Sequence, residues 1–216
     1  MKSDKQLQQD VIAELNWDGA VEATRIGVEA DGGIVTLSGH VGSYMEKWAA
    51  ERVAKRVWGV KGLAVELDVI LPGSSVRTDS DIARAAVSAL EWSASVPKDT
   101  IKVLVEDGFI TLSGEVDKAC MRDAAVACVH GLVGVKGINN EIEMRIQPTS
   151  HDVKSKIESA LQRRAHLDSK AITVAVQDDT ITLSGVVGSW AERSIIERAA
   201  WNAPGVRRVV DKIVIA

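Results

Sequence analysis

Residues 36–39 read Thr-Leu-Ser-Gly, and the same four residues return at 111–114 and at 182–185. The copies begin 75 residues (36 to 111) and 71 residues (111 to 182) apart. A Gly-Val pair follows 20 residues after the glycine of each copy, at 59–60, 134–135 and 205–206. Three matches in one register indicate that the chain contains three copies of one unit.

The apolar pattern around each copy predicts the order of its elements. Leu7, Val11 and Leu15 show the spacing of a helix that opens the unit. Alternating apolar residues on either side of a turn at Asp31-Gly32-Gly33 or Asp107-Gly108 then predict a two-stranded hairpin. A second helix precedes the Gly-Val pair, and another alternating stretch closes the unit. We therefore predict an α+β fold of three tandem αββαβ domains, each a small three-stranded mixed sheet covered by two helices.

Short breaks separate the three predicted domains. Pro72-Gly73 and Pro148 interrupt regular structure, and we place the domains at residues 1–71, 77–147 and 149–216. A domain of this size buries only about 60% of the surface that its unfolded chain exposes. We therefore expect the repeats to pack against one another, or against a second copy of the chain.

The repeated pattern resembles the BON domain, a family named for bacterial OsmY and nodulation proteins. The resemblance is carried by the hairpin that ends in Leu-Ser-Gly-x-Val, as in Leu37-Ser38-Gly39-His40-Val41, by the later Gly-Val pair and by the closing strand. It implies the αββαβ fold. It also implies a non-catalytic module that binds phospholipid or associates with membranes, in periplasmic or envelope proteins of the osmotic stress response.

Charge excludes some partners and suggests one. The chain carries 26 basic and 30 acidic side chains, a net charge of −4, which argues against broad nucleic-acid binding. Residues 148–216 differ, with 10 basic and 8 acidic side chains and a net charge of +2. The arginine pairs in this third copy are candidates for an anionic phospholipid surface: Arg163, Arg164, Arg207 and Arg208.

Aromatic residues mark the outer face of the second helices. At about 100° per residue, Tyr44 and Trp48 fall opposite the apolar stripe of their helix, and Trp190 and Trp201 do so in the third copy. One interpretation is burial against a neighbouring copy or a second chain. The other is a lipid-binding or partner-binding site, because Trp favours boundaries between water and apolar surroundings.

Three further tryptophans are predicted to pack within the fold. Trp17 and Trp92 occupy equivalent positions just after the first helix, where we expect them to pack at the helix exit. Trp58 lies beside the first Gly-Val pair and is also expected to pack.

No pattern in the sequence predicts catalysis, a cofactor or a metal site. His40, His130, His151 and His166 do not share metal-ligand spacing, and neither a Walker loop nor a Gly-x-Gly-x-x-Gly motif is present. Cys120 and Cys128 lie eight residues apart on one predicted helix, about 12 Å along its axis. That distance is too long for a disulfide, so we expect two reduced, buried thiols.

Location and function follow as expectations. No apolar run follows the N-terminus, so no signal peptide or transmembrane segment is predicted and the cytoplasm is expected; the resemblance implies the periplasm as the alternative. The first hypothesis is a non-catalytic protein that binds anionic phospholipid surfaces or envelope components under osmotic stress. The alternative is a protein-interaction scaffold or chaperone-like protein that uses the outer aromatic faces of the second helices.

Overall fold

The computed structural model describes residues 2–145, 157, 172–177, 179–203 and 206–215. The first unit contains α1 (Asp4–Trp17), β1 (Ile26–Asp31), β2 (Ile34–Val41), α2 (Tyr44–Arg56) and β3 (Gly62–Val69). The second contains α3 (Asp79–Trp92), β4 (Ile101–Glu106), β5 (Phe109–Val116), α4 (Ala119–Val129) and β6 (Gly137–Met144). The third contains β7 (Ile172–Gln177), β8 (Thr180–Val187), α5 (Trp190–Trp201) and β9 (Arg208–Ile215). The predicted first helix of this unit lies outside the described residues, apart from the helical and buried Ile157.

The three sheets share one topology. The Thr-Leu-Ser-Gly strand is central in each sheet, antiparallel to the strand before it and parallel to the strand after it. Leu37, for example, pairs with Val28 on one side and with Val65 on the other. The prediction of three small mixed sheets in an α+β fold is confirmed.

Each unit has its own hydrophobic core between the sheet and its helices. The leucine of the motif is fully buried in all three copies, as Leu37, Leu112 and Leu183. The threonine and serine on either side of it therefore point away from the core, because successive side chains of a strand alternate between its faces. Each sheet thus has a covered face and an open face.

The glycine of the motif is required by close backbone packing. Gly39 has φ +116°, and a Cβ there would lie 2.3 Å from the carbonyl oxygen of Arg25. Gly114 has φ +137°, and its Cβ would lie 2.1 Å from the carbonyl oxygen of Thr100. A side chain at either position would collide with backbone that cannot move independently.

Serine caps fix the start of two second helices. Ser43 Oγ accepts a hydrogen bond from the Glu46 amide at 3.1 Å, and the Glu46 carboxylate accepts one from the Gly42 amide at 2.8 Å. Ser189 and Glu192 repeat this arrangement in α5. Lys118 stands at the same place before α4 and makes no side-chain cap.

Three sequence expectations are wrong. Trp17 and Trp92 do not pack at the helix exit, because 84% and 88% of their surfaces are exposed. Each follows its helix's last buried residue by two positions, a rotation of about 200° away from the core. Cys120 is exposed rather than buried, and Cys128 is partly buried.

Candidate functional site

The second helices of the three units meet one another. In the first junction, the outer face of α2 contacts the end of α4. The rings of Trp48 and His130 lie 5.2 Å apart between centroids, and Tyr44 packs against the core of the second unit. The Met45 methyl group lies beside Gly131, where a Cβ would meet it at 3.5 Å.

The second and third units meet in the same way, with the first half of one second helix against the end of the next. The guanidinium of Arg122, in the first half of α4, lies 5.0 Å from the ring centroid of Trp201 at the end of α5. Trp201 also packs against the core of its own unit. A cation over an indole face is attractive by about 0.5–1 kcal/mol at partly exposed sites.

The third unit also contacts the first. Trp190, at the start of α5, packs against the cores of both units. A Cβ on the neighbouring Gly188 would lie 3.1 Å from the Trp58 indole, which follows the end of α2. The guanidinium of Arg193 lies 4.7 Å from the centroid of the Trp190 ring and forms an ion pair with Asp211 at 2.6 Å.

These contacts form three junctions of one kind. In each, the first half of one second helix meets the end of the next, and His130 and Trp201 occupy equivalent positions 71 residues apart. The junctions run from unit one to two, two to three and three to one. Head-to-tail contacts that return to their starting point form a closed ring.

The structure brings the four predicted aromatic residues into these junctions. Burial raises the pKa of the Tyr44 phenol above its ordinary value of 10.0, and the nearby Glu51 carboxylate raises it further. Trp48 keeps part of its ring exposed, while Tyr44, Trp190 and Trp201 are half-buried. The outer aromatic faces therefore contact neighbouring repeats within this chain.

The predicted arginines have different surroundings. Arg163 and Arg164 lie outside the described residues. Arg207 forms an ion pair with Asp179 at 3.0 Å, and Arg208 is exposed at the start of β9. The structure does not bring Arg207 or Arg208 together with the aromatic residues of the junctions.

Sequence reasoning missed the exposure of Trp17 and Trp92. They are the last residues of α1 and α3, they are related by the repeat offset of 75, and both indoles extend into solvent. The helical spacing already contained a signal, because neither residue continues the stripe of Leu7, Val11 and Leu15 or its equivalent.

Within the described ranges, no group of three or more His, Cys, Asp or Glu side chains could hold a metal ion. No helix in that part of the chain is long and apolar enough to cross a membrane.

Comparison with known proteins gives a family and one curated relative. A family model described as the BON domain matches residues 3–70, 78–146 and 149–216. Osmotically-inducible protein Y of Escherichia coli (strain K12) is 33% identical over 129 residues, which cover 58% of this chain and 64% of that protein. The chain thus spans slightly less than two thirds of that relative.

Two of the similar solved structures are distant likenesses. CdsD, a structural protein of the type III secretion system of Chlamydia trachomatis, is 14% identical with a TM-score of 0.25, covering 98% of this chain and 92% of that one. The PrgH periplasmic domain is 10% identical with a TM-score of 0.22, covering 89% of this chain and 95% of that one.

Proposed function

The chain belongs to the BON-domain family, and on that premise we propose that it is a non-catalytic binding protein that associates with the lipid–water interface of a membrane during osmotic stress. Support for the stress context comes from the name of the osmotically inducible relative. Support for the membrane comes from one observation, the exposure of Trp17 and Trp92 at equivalent positions of two repeats.

Indole side chains suit a lipid–water interface. The ring is apolar and the N–H group is polar, so Trp is enriched where one end of a side chain is wet and the other is not. Fully burying a large apolar side chain contributes roughly 1.5–3 kcal/mol. Two indoles acting together are therefore sufficient for reversible attachment. A stable protein partner would instead require a continuous buried patch of about 800 Å² on each side.

Anionic headgroups add a smaller attraction in this proposal. A basic side chain near an anionic surface contributes about 1 kcal/mol. Arg208 is exposed, whereas Arg207 is already paired with Asp179. We place the protein at the cell envelope, as membership of the BON-domain family implies.

Vesicle co-sedimentation tests the proposal. The full chain is compared on phosphatidylcholine vesicles and on vesicles containing phosphatidylglycerol, at low and physiological salt. We expect binding to both, and a loss of about tenfold or more in the Trp17→Ala/Trp92→Ala variant. Ile70→Ala, which removes exposed apolar surface near the first linker, is the matched control and should bind normally. If the wild type binds neither the phosphatidylcholine vesicles nor the phosphatidylglycerol vesicles at low salt, the proposal is contradicted.

A second candidate function is a protein-interaction scaffold or chaperone-like protein. It is favoured by Trp48, which keeps 39% of its surface exposed at the first junction and so leaves part of the aromatic face of α2 accessible to a partner. Partner recovery from cell extract with Trp48→Ala and Trp190→Ala variants tests this function. Recovery equal to that of the wild type would count against it.

A further inference from the structure

The open faces of the three sheets differ in charge. Sheet face 1 is the side of β1–β3 turned away from the helices, and it carries four carboxylates: Glu29, Asp31, Glu66 and Asp68. Sheet face 2, on β4–β6, is also acidic. Sheet face 3, on β7–β9, is basic. The second helices that meet at the junctions pack on the covered faces of the sheets, so the open faces are turned away from the junctions.

Sheet face 2 combines acidic side chains with exposed apolar ones. Leu104 and Phe109 are 56% and 54% exposed, and the Phe109 ring lies over Gly137, where a Cβ would meet it at 2.6 Å. Glu106 pairs with Phe109 across the hairpin, and Glu141 and Glu143 project on the same side from β6. Lys102 partly offsets these charges, and Arg145 pairs with Glu115 at 3.6 Å.

Sheet face 3 has the complementary composition. Val186 and Val214 are direct partners on neighbouring strands and are 51% and 61% exposed. Arg208 and Lys212 project on the same side of β9 and are exposed. All positions on this face of the three strands are described, and none of them is a carboxylate.

We propose that sheet face 3 of one copy docks on sheet face 2 of a second copy of this chain. Two sheets pack face to face at about 10 Å, with apolar side chains between them. The Val186–Val214 pair would then meet Leu104 and Phe109. Arg208 and Lys212 would meet the carboxylates of sheet face 2, which sets the orientation and the salt dependence of the contact.

Sheet face 1 is the poorer partner, although it is more acidic. Ile34 is the exposed large apolar residue on the central strand of sheet face 1. Docking of sheet face 3 there would bring opposite charges together but would bury little apolar surface. The exposed apolar side chains on sheet faces 2 and 3 favour the contact between those two faces.

This contact is heterologous, since the two faces belong to different units. A copy bound through sheet face 3 still presents its own sheet face 2, so association continues head to tail as concentration rises. Three-stranded faces are small, and an interface below about 1,200 Å² is typical of weak, transient association. We therefore expect reversible, salt-sensitive self-association rather than a stable dimer.

A charge-swap cycle tests the inference with the full chain. Sedimentation velocity is measured against protein concentration at low and high salt. Arg208→Glu/Lys212→Glu and Glu141→Lys/Glu143→Lys should each raise the apparent Kd by at least about tenfold. The chain with all four substitutions should recover self-association, because the charges are again opposite. Circular dichroism of each variant shows whether it is folded.

Glu66→Lys/Asp68→Lys on sheet face 1 is the matched control and should associate like the wild type. A wild type that stays monomeric at high concentration and low salt overturns the inference. If the fourfold variant does not recover self-association, or if the control variant loses it, the proposed contact between sheet faces 2 and 3 is overturned. If Arg208→Glu/Lys212→Glu lowers binding to phosphatidylglycerol vesicles and leaves self-association unchanged, sheet face 3 is a lipid site and the inference fails. The proposed function rests on Trp17 and Trp92 and is tested separately.

Discussion

The imidazole of His130 lies edge-on to the indole of Trp48, with ring centroids 5.2 Å apart and planes at 69°. On the Trp48 ring, the Arg52 guanidinium lies 5.0 Å from the centroid. The His130 ring is itself positioned by Nδ1, 2.7 Å from the Ala127 carbonyl oxygen. Trp48 is thus packed between its own helix and the second unit, and it joins the two.

Replacing Trp48 with alanine should loosen this junction. We expect the free energy of unfolding to fall by about 1–2 kcal/mol, because an aromatic pair and a cation–π contact are lost together. Denaturant titration checks this value. Trp92→Ala is the matched control; its indole is exposed, so its effect should stay within about 0.5 kcal/mol. Equal effects of the two substitutions would show that the junction contributes nothing to stability.

Alanine at Gly114 should destabilise the second unit severely. Its Cβ would collide with the Thr100 carbonyl oxygen, and φ +137° is unfavourable for any side chain. We expect a loss of more than about 3 kcal/mol, measured by thermal unfolding. Gly19→Ala serves as the control, because nothing lies within 4 Å of a Cβ there. A Gly114→Ala protein as stable as the control would refute the close-packing argument.

Tyr44 should make the stability of the junction depend on alkaline pH. Burial raises the pKa of its phenol above the unfolded value, so its contribution is fully present below about pH 10 and is lost as pH rises through the folded pKa. Tyr44 is the one tyrosine of the chain, so phenolate absorbance reports its pKa directly.

Tyr44→Phe should remove this component of the pH dependence while the general alkaline destabilisation from lysine titration remains. An absorbance midpoint at the ordinary value of 10.0 would contradict the burial of Tyr44 at the junction.

The missing cap of α4 offers a stabilising change. Lys118 has φ −140° and ψ 142°, an extended conformation close to that of the capping Ser43 and Ser189. Lys118→Ser should add a hydrogen bond from the Met121 amide and raise stability by about 1 kcal/mol, whereas Ser43→Ala should cost a similar amount. Chemical denaturation of both variants checks the pair. If Lys118→Ser leaves the free energy of unfolding unchanged, the backbone N–H groups at the start of α4 have other hydrogen-bond partners.

The fold was predictable because its determinants are local and repeated. Leu7, Val11 and Leu15 mark one face of α1, and Ser43 marks the start of α2 within a few residues of chain. Hydrogen bonds across longer distances were not predictable in the same way. The Asp4 carboxylate accepts hydrogen bonds from the Gly32 and Gly33 amides, each at 3.1 Å, and so ties the start of α1 to a turn 28 residues later.

The candidate site was less accessible to sequence reasoning. The helical pattern placed Tyr44 and Trp48 on an outer face, but it could not specify which surface would meet that face. The exposure of Trp17 and Trp92 is not evident from the repeat pattern, because equivalent aromatic residues in two repeats are also typical of internal packing. Charge summed by domain also gave no indication that Arg208 and Lys212 lie on the same side of β9, on a sheet face without a carboxylate.

The closed ring of junctions has a consequence for stoichiometry. Each second helix contributes its first half to one junction and its end to another. In a chain of three units, every first half therefore meets an end. A chain with one unit deleted would keep an unmatched half and an unmatched end, and it would have to satisfy them in another molecule. In a chain with a fourth unit, the closed ring of three would leave no free first half or end with which the fourth second helix could form a junction. Gain or loss of a repeat would therefore change the protein's assembly state along with its length.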